Sequence, residues 1–151
     1  MVVQKVFVER AHRIVWCAVA TVGPDNRPRS RILHPLWELN TELVGWIVTR
    51  ATRVKVRHLA YSPYLTCSYW EPGHEVAVAD CHAEWVGDAA TRQRVWELYR
   101  DAPPPLGYHF WSVFPVGPAG ESPSLLRLTP YRLRLTDVET LSGRKQPLAW
   151  P

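Results

Sequence analysis

The chain has 151 residues, 46% hydrophobic and 21% charged, the make-up of one ordinary globular domain spanning 1–151 around a single core. Its 18 basic residues against 14 acidic ones leave a net charge of +4, which suits a small anionic ligand and is too weak to indicate a nucleic-acid binder. No apolar run approaches the roughly 18 residues of a membrane span, and no charged start with an apolar run and cleavage site marks a signal peptide, so no membrane partner and a cytoplasmic location are expected.

In chain order, Val3 to Ala11 places Val3, Val6 and Phe7 on one helical face. Ile14 to Val22, rich in Val, Ala and Trp, reads as a buried strand, and Gly23-Pro24-Asp25-Asn26 has the chemistry of a turn. Arg29 to Trp37 sets Arg29, Arg31 and Leu33 against Ser30, Ile32 and His34 with period two, the returning arm of a hairpin with a four- or five-residue loop. Leu43 to Thr49 is a third strand. The period then becomes helical over Thr52 to Tyr61, with Thr52 as N-cap, Val56, Leu59 and Ala60 at helical spacing, and Ser62-Pro63 as the stop. Tyr64 to Trp70 and Glu75 to Val86 are strands joined by the turn Glu71-Pro72-Gly73-His74. Asp88 caps a helix to Tyr99 that faces Val95, Leu98 and Tyr99 inward. The three consecutive prolines within Asp101 to Leu106 predict an extended connector. Leu125 to Leu135 is a late strand, interrupted at Pro130 by a bulge or an edge position.

Six or seven strands and two or three short helices in hairpin-rich order predict a mainly β fold, a closed antiparallel barrel with helices outside. Regular βαβ alternation, GxGxxG and GxxxxGK[ST] are all missing from the sequence. The chemistry concentrates between Arg27 and Pro63. There a strand carrying alternate arginines, a strand ending Thr49-Arg50 and the helix start Thr52-Arg53-Val54-Lys55 supply the several donors that one phosphate requires. Cys17, Cys67 and Cys81 lie in apolar strands without CxxC spacing and read as buried small side chains. The histidines have no acidic or thiol company at ligand spacing, so no metal is expected; His34 is a candidate donor to a pocket, and His58 a packing or capping residue. Eight tryptophans favour an aromatic pocket or a dimer interface, and Tyr108-His109-Phe110-Trp111 reads as an aromatic plug closing a dimer in preference to a lid over a ring.

In order and spacing, Asp25 to Pro28, the basic strand, the strand ending at Thr49, Arg53-x-Lys55-x-x-His58-Leu59, Ser62-Pro63, Tyr69-Trp70 and Ala83-Glu84-x-Val86-x-Asp88 resemble the pyridoxamine 5′-phosphate oxidase-like flavin-binding split barrel. The resemblance covers roughly residues 3 to 100. It implies a homodimer with flavin mononucleotide (FMN) in two grooves between subunits, and an oxidoreductase acting on a small molecule. Arg29, Arg31, Thr49, Arg53 and Lys55 would hold the phosphate. The backbone at Ser30, Ile32 and Leu33 would meet the ring edge, with Tyr69 and Trp70 near the partner's isoalloxazine. Counterparts of the substrate-phosphate arginine and histidine of true pyridoxamine phosphate oxidases are missing, which argues against vitamin B6 oxidation. A deazaflavin coenzyme in place of FMN, and a non-catalytic flavin or haem holder, are the alternatives. Single-stranded nucleic-acid binding ranks behind them because the arginines cluster at one strand and one helix start.

Overall fold

The computed structural model describes residues 1–108 and 124–151. Among these, eight strands form one sheet: β1 (Cys17–Val22), β2 (Pro28–Leu33), β3 (Leu36–Leu39), β4 (Leu43–Thr49), β5 (Tyr64–Trp70), β6 (Val76–Val86), β7 (Ser124–Thr136) and β8 (Leu148–Trp150). Four helices flank it: α1 (Val2–Ile14), α2 (Arg53–Tyr61), α3 (Ala89–Asp101) and α4 (Val138–Leu141). The strand order is β2-β1-β5-β6-β7-β4-β3, with β8 paired to β7, and every pairing is antiparallel.

The two edges of this sheet, β2 and β3, are consecutive in the chain and separated only by His34 and Pro35. The sheet must therefore curl until its ends meet, yet no ladder joins them, and Pro35 has no N–H to start one. The barrel is split, as the family resemblance implied, and not closed as the strand pattern alone predicted. Inward residues of six strands share one core: Cys17 and Val19 of β1, Trp37 of β3, Ile47 of β4, Cys67 and Tyr69 of β5, Ala79 and Cys81 of β6, and Leu128 and Leu133 of β7. Phe7 of α1 joins this core, edge-on to Trp37 at 4.9 Å and to Tyr69 at 6.2 Å between ring centroids. Arg10 of α1 donates at 2.8 Å to the carbonyls of Val76 and Thr136, tying the helix across the ends of β6 and β7. A second core lies outside the barrel, where Val95 and Tyr99 of α3 pack on Leu36, Val44, Trp46 and Leu125.

Several boundaries differ from the sequence reading. Ile14 ends α1 and does not begin β1; Val15 follows with φ 73°, and its N–H closes on the Ala11 carbonyl at 2.8 Å. The predicted strand Arg29–Trp37 is two strands broken at His34-Pro35. With β8, which went unforeseen along with α4, this brings the count to eight. Pro130 sits at a bulge, where Asp80 pairs with Arg132 and Cys81 with Pro130, but β7 is no edge: β6 flanks one side, β4 and β8 the other. The proline run is a turn and not an extended connector, with the Gly107 N–H bonded to the Pro103 carbonyl at 3.0 Å. The largest departure is in α2. Its buried residues are Lys55, His58 and Leu59, whereas Val56 and Ala60 face outward.

Candidate functional site

A helix that buries a lysine and a histidine while exposing a valine contradicts the ordinary rule for helix faces. Thr52 sets the orientation: as N-cap its hydroxyl accepts from the Lys55 N–H, and Ser62 ends the helix at the fourth turn position from His58. Only 8% of Lys55 is exposed, and its Nζ donates to Thr49 Oγ1 at 2.9 Å. No carboxylate pairs with Lys55 among the described residues. Burial pushes its ammonium below the ordinary lysine value, and the charge of Arg31 pushes it further the same way.

Arg31 reaches inward from β2. Its Nη1 donates to Thr21 Oγ1 at 2.8 Å and to the Val19 carbonyl at 3.1 Å, so the side chain lies across β1. Burial and then Arg29 lower its pKa too. Thr21 in turn shares a 2.9 Å hydrogen bond with His58 Nδ1, which ties α2 to β1. A Cβ at Gly23 would stand 2.6 Å from the His58 ring, so glycine at that turn is what lets the ring close down on the hairpin. Beside it, Arg29, Arg53, Arg57 and His58 line a cleft of about 130 Å³ with Pro24 and Asp25 at its rim.

Two half-buried or buried cations, Lys55 and Arg31, thus stand beside one another with hydroxyls and backbone carbonyls, and no carboxylate, as their polar partners among the described residues. Burying a charge without an opposite charge is costly, and the cost disappears when an anion occupies the gap. The donor set fits a phosphate: an ammonium, a guanidinium, and further arginines at the mouth.

The sequence matches no protein-family profile and no curated protein. Solved structures do match its shape. A protein related to general stress protein 26, of the pyridoxinephosphate oxidase family, from Clostridium acetobutylicum superposes with a TM-score of 0.75 at 12% identity, over 97% of this chain and 94% of that one. The chain has the pyridoxamine 5′-phosphate oxidase-like fold. A pyridoxamine 5′-phosphate oxidase-related, FMN-binding protein from Nostoc punctiforme matches with TM-score 0.63 and 15% identity, covering 95% and 83% of the two chains. HutZ, the haem storage protein of Vibrio cholerae, matches with TM-score 0.58 and 17% identity, over 83% and 86%.

In this split barrel the residues singled out in the sequence separate into three groups. Arg29, Arg31, Thr49, Arg53 and Lys55 come from β2, β4 and α2 and gather at one end of the β1–β2 hairpin. Ser30 and Ile32 are exposed along edge strand β2, while Leu33 packs against the core. Tyr69 and Trp70 part company. Trp70 is exposed, but Tyr69 is fully buried inside the barrel, its hydroxyl accepting the Trp37 indole N–H at 2.9 Å. The alternation of β5 explains the correction: neighbouring residues of a strand face opposite sides, so the pair cannot both face a partner.

Three members of the site escaped the sequence reading. Thr21 fell within a strand rich in Val, Ala and Trp, His58 read as a packing or capping residue, and Arg57 was assigned no role of its own. The available signal was the i, i+3 spacing of Lys55 and His58, which puts both on the face that carries Leu59. His34 has another place: its Nε2 donates to the Leu106 carbonyl at 3.0 Å, and its ring packs between Trp16 at 4.7 Å and Tyr108 at 4.8 Å. His109, Phe110 and Trp111, the rest of the expected aromatic plug, lie outside the described residues.

Proposed function

We propose that this protein is a homodimeric flavin-dependent oxidoreductase that holds FMN by its phosphate and acts on a small molecule. The observation that carries the reading is Lys55, a buried ammonium with a second cation beside it and no carboxylate partner among the described residues. Lys55 and Arg31 would bind the phosphate, Thr49 would aim the ammonium, and Thr21 with His58 would hold Arg31 and α2 in place. Among the described residues strand β2 has a ladder with β1 alone, so its outer edge offers backbone groups that suit the donors and acceptors on the rim of an isoalloxazine. Ser30, Ile32 and Leu33 would supply that edge. Bound flavin provides hydride or electron transfer itself; the chain's part is to bind, orient and exclude water. The named ligand of the Nostoc relative supports the choice of cofactor.

The test is an absorbance and fluorescence titration with FMN, in the wild type and in Lys55→Met. The wild type should saturate at about one flavin per chain, and the variant should bind at least about tenfold more weakly, since a charge-assisted hydrogen bond to phosphate is lost. Equal affinity in the two proteins would overturn the site. Reduction of the bound flavin by a nicotinamide donor then separates an enzyme from a protein that only holds the cofactor.

A further inference from the structure

Only Val15 and Trp16 separate α1 from β1, and the join is strained. Val15 has φ 73° and ψ −57°, and the Trp16 N–H donates to the Ile14 carbonyl at 2.9 Å, a γ-turn of the rare hand. A β-branched residue seldom takes that conformation, and such strain persists only where the surrounding structure over-determines it. What the turn places is Trp16. The register that pairs Cys17 with Leu33 and Ala18 with Ile32 continues to set Trp16 opposite His34, and the two rings meet edge-on at 4.7 Å. The indole nevertheless stays 54% exposed.

His34 is held from several sides. Its Nε2 meets the Leu106 carbonyl at 3.0 Å, the Tyr99 hydroxyl donates to the His34 carbonyl at 2.9 Å, and the rings of Tyr99 and Tyr108 stand edge-on to the imidazole. A carbonyl only accepts, so the ring proton sits on Nε2 and Nδ1 keeps a lone pair. Burial lowers the imidazole pKa below the ordinary histidine value, against the raising effect of the Leu106 bond, so the ring is neutral near pH 7. Nδ1 has no hydrogen-bond partner among the described residues. A fixed, neutral acceptor beside a half-exposed indole suits a flat ring: the indole offers a π surface and the imidazole a directed hydrogen bond. Lys55 and Arg31 mark the other end of the same strand. His34 follows Leu33 at the end of β2, about 10 Å beyond Arg31 at the rise of an extended chain.

We infer that Trp16 and His34 form the substrate subsite, and that the substrate is a planar aromatic ring whose O–H or N–H group is accepted by His34 Nδ1. This rests on the flavin reading above and deepens it by naming the substrate class, since the outer edge of Ser30, Ile32 and Leu33 leads directly to His34. A saturated ring would lose the contact with the Trp16 face, and an ether in place of the hydroxyl would leave Nδ1 without a donor.

The experiment is a set of calorimetric titrations on the FMN-loaded wild type, Trp16→Ala and His34→Phe, after the FMN affinity of all three has been measured. The probes are 2-naphthol, its methyl ether and decahydro-2-naphthol. FMN should bind the three proteins alike, since neither side chain belongs to the phosphate site. In the wild type 2-naphthol should bind about fivefold more tightly than the ether, which lacks the donor, and about fivefold more tightly than the saturated alcohol, which lacks the flat face. His34→Phe, which keeps a ring between Trp16 and Tyr108, should abolish the first preference and retain the second. Trp16→Ala should abolish the second and retain the first. A wild type that binds the three probes alike or not at all, or preferences that survive both substitutions, would overturn the subsite while the FMN reading stands. Loss of FMN from either variant would put that side chain in the cofactor site and overturn the subsite as well. If FMN does not bind the wild type, the flavin reading falls and the subsite with it.

Discussion

Lys55 is the residue on which the proposed phosphate site turns, and its position makes a prediction for the protein without ligand. In the folded state its pKa is lowered by burial and by Arg31, while in the unfolded chain it returns to the ordinary lysine value. Between those two values the unfolded chain holds more protons, so stability rises with pH through that alkaline window. Below the folded value the penalty is present in full. Replacing the ammonium by an apolar chain of similar length removes the penalty. Lys55→Met should therefore raise the Tm of cofactor-free protein at neutral pH by roughly 2–4 °C, for a gain of about 1 kcal/mol, and flatten the alkaline rise. Thermal melts of the two proteins between pH 7 and 10 decide it; a variant less stable than the wild type would mean that the lysine is already compensated.

At the scale of elements, the hairpin β3–β4 depends on a contact between a large ring and a bare backbone. Gly45 pairs with Trp37, and a Cβ there would stand 2.6 Å from the indole ring. The same ring gives its N–H to Tyr69 and an edge contact to Phe7, so it cannot retreat without opening the core. Gly45→Ala should destabilise the fold by about 1–3 kcal/mol through overpacking, read as a lower urea midpoint with unchanged slope. Helix α2 shows the complementary effect. Its cap and its stop follow local rules, but which face turns inward does not. Val56 and Ala60, apolar and at helical spacing, face solvent because Lys55 and His58 have partners inside, Thr49 and Thr21.

At the scale of the molecule, the outer sheet surface carries large exposed side chains: Ile32 at 64%, Trp70 at 58%, and Tyr64 and Tyr131 both at 51%. Tyr64 and Tyr131 meet edge-on at 5.9 Å, so part of this surface is already an organised aromatic patch. Exposed rings and aliphatics in such number suit an interface between two copies. Sedimentation should give twice the chain mass of 17.3 kDa. Ile32→Glu with Trp70→Glu should shift the protein toward monomer and weaken flavin binding together, as a groove between subunits requires. A wild-type monomer at all concentrations would overturn the dimeric site.

Most strands and helices α2 and α3 were legible because they rest on local chemistry: alternation, proline and glycine turns, Thr52 and Asp88 as caps. The split was implied by the family resemblance and not by local chemistry, since it follows from which strands pair, and β2 and β3 become opposite edges only when β7 inserts between β6 and β4. Sequence by itself determined that arginines, a lysine and a threonine within Arg29 to Lys55 were available to an anion. Tertiary structure decided which of them act together. Thr21 and His58 gain their roles only once β1 is laid beside α2, and Tyr69 loses its expected one because its strand face is the core. The physical reason is that a side chain's charge and shape are local, whereas its burial and its partners depend on the packing of elements far apart in the chain.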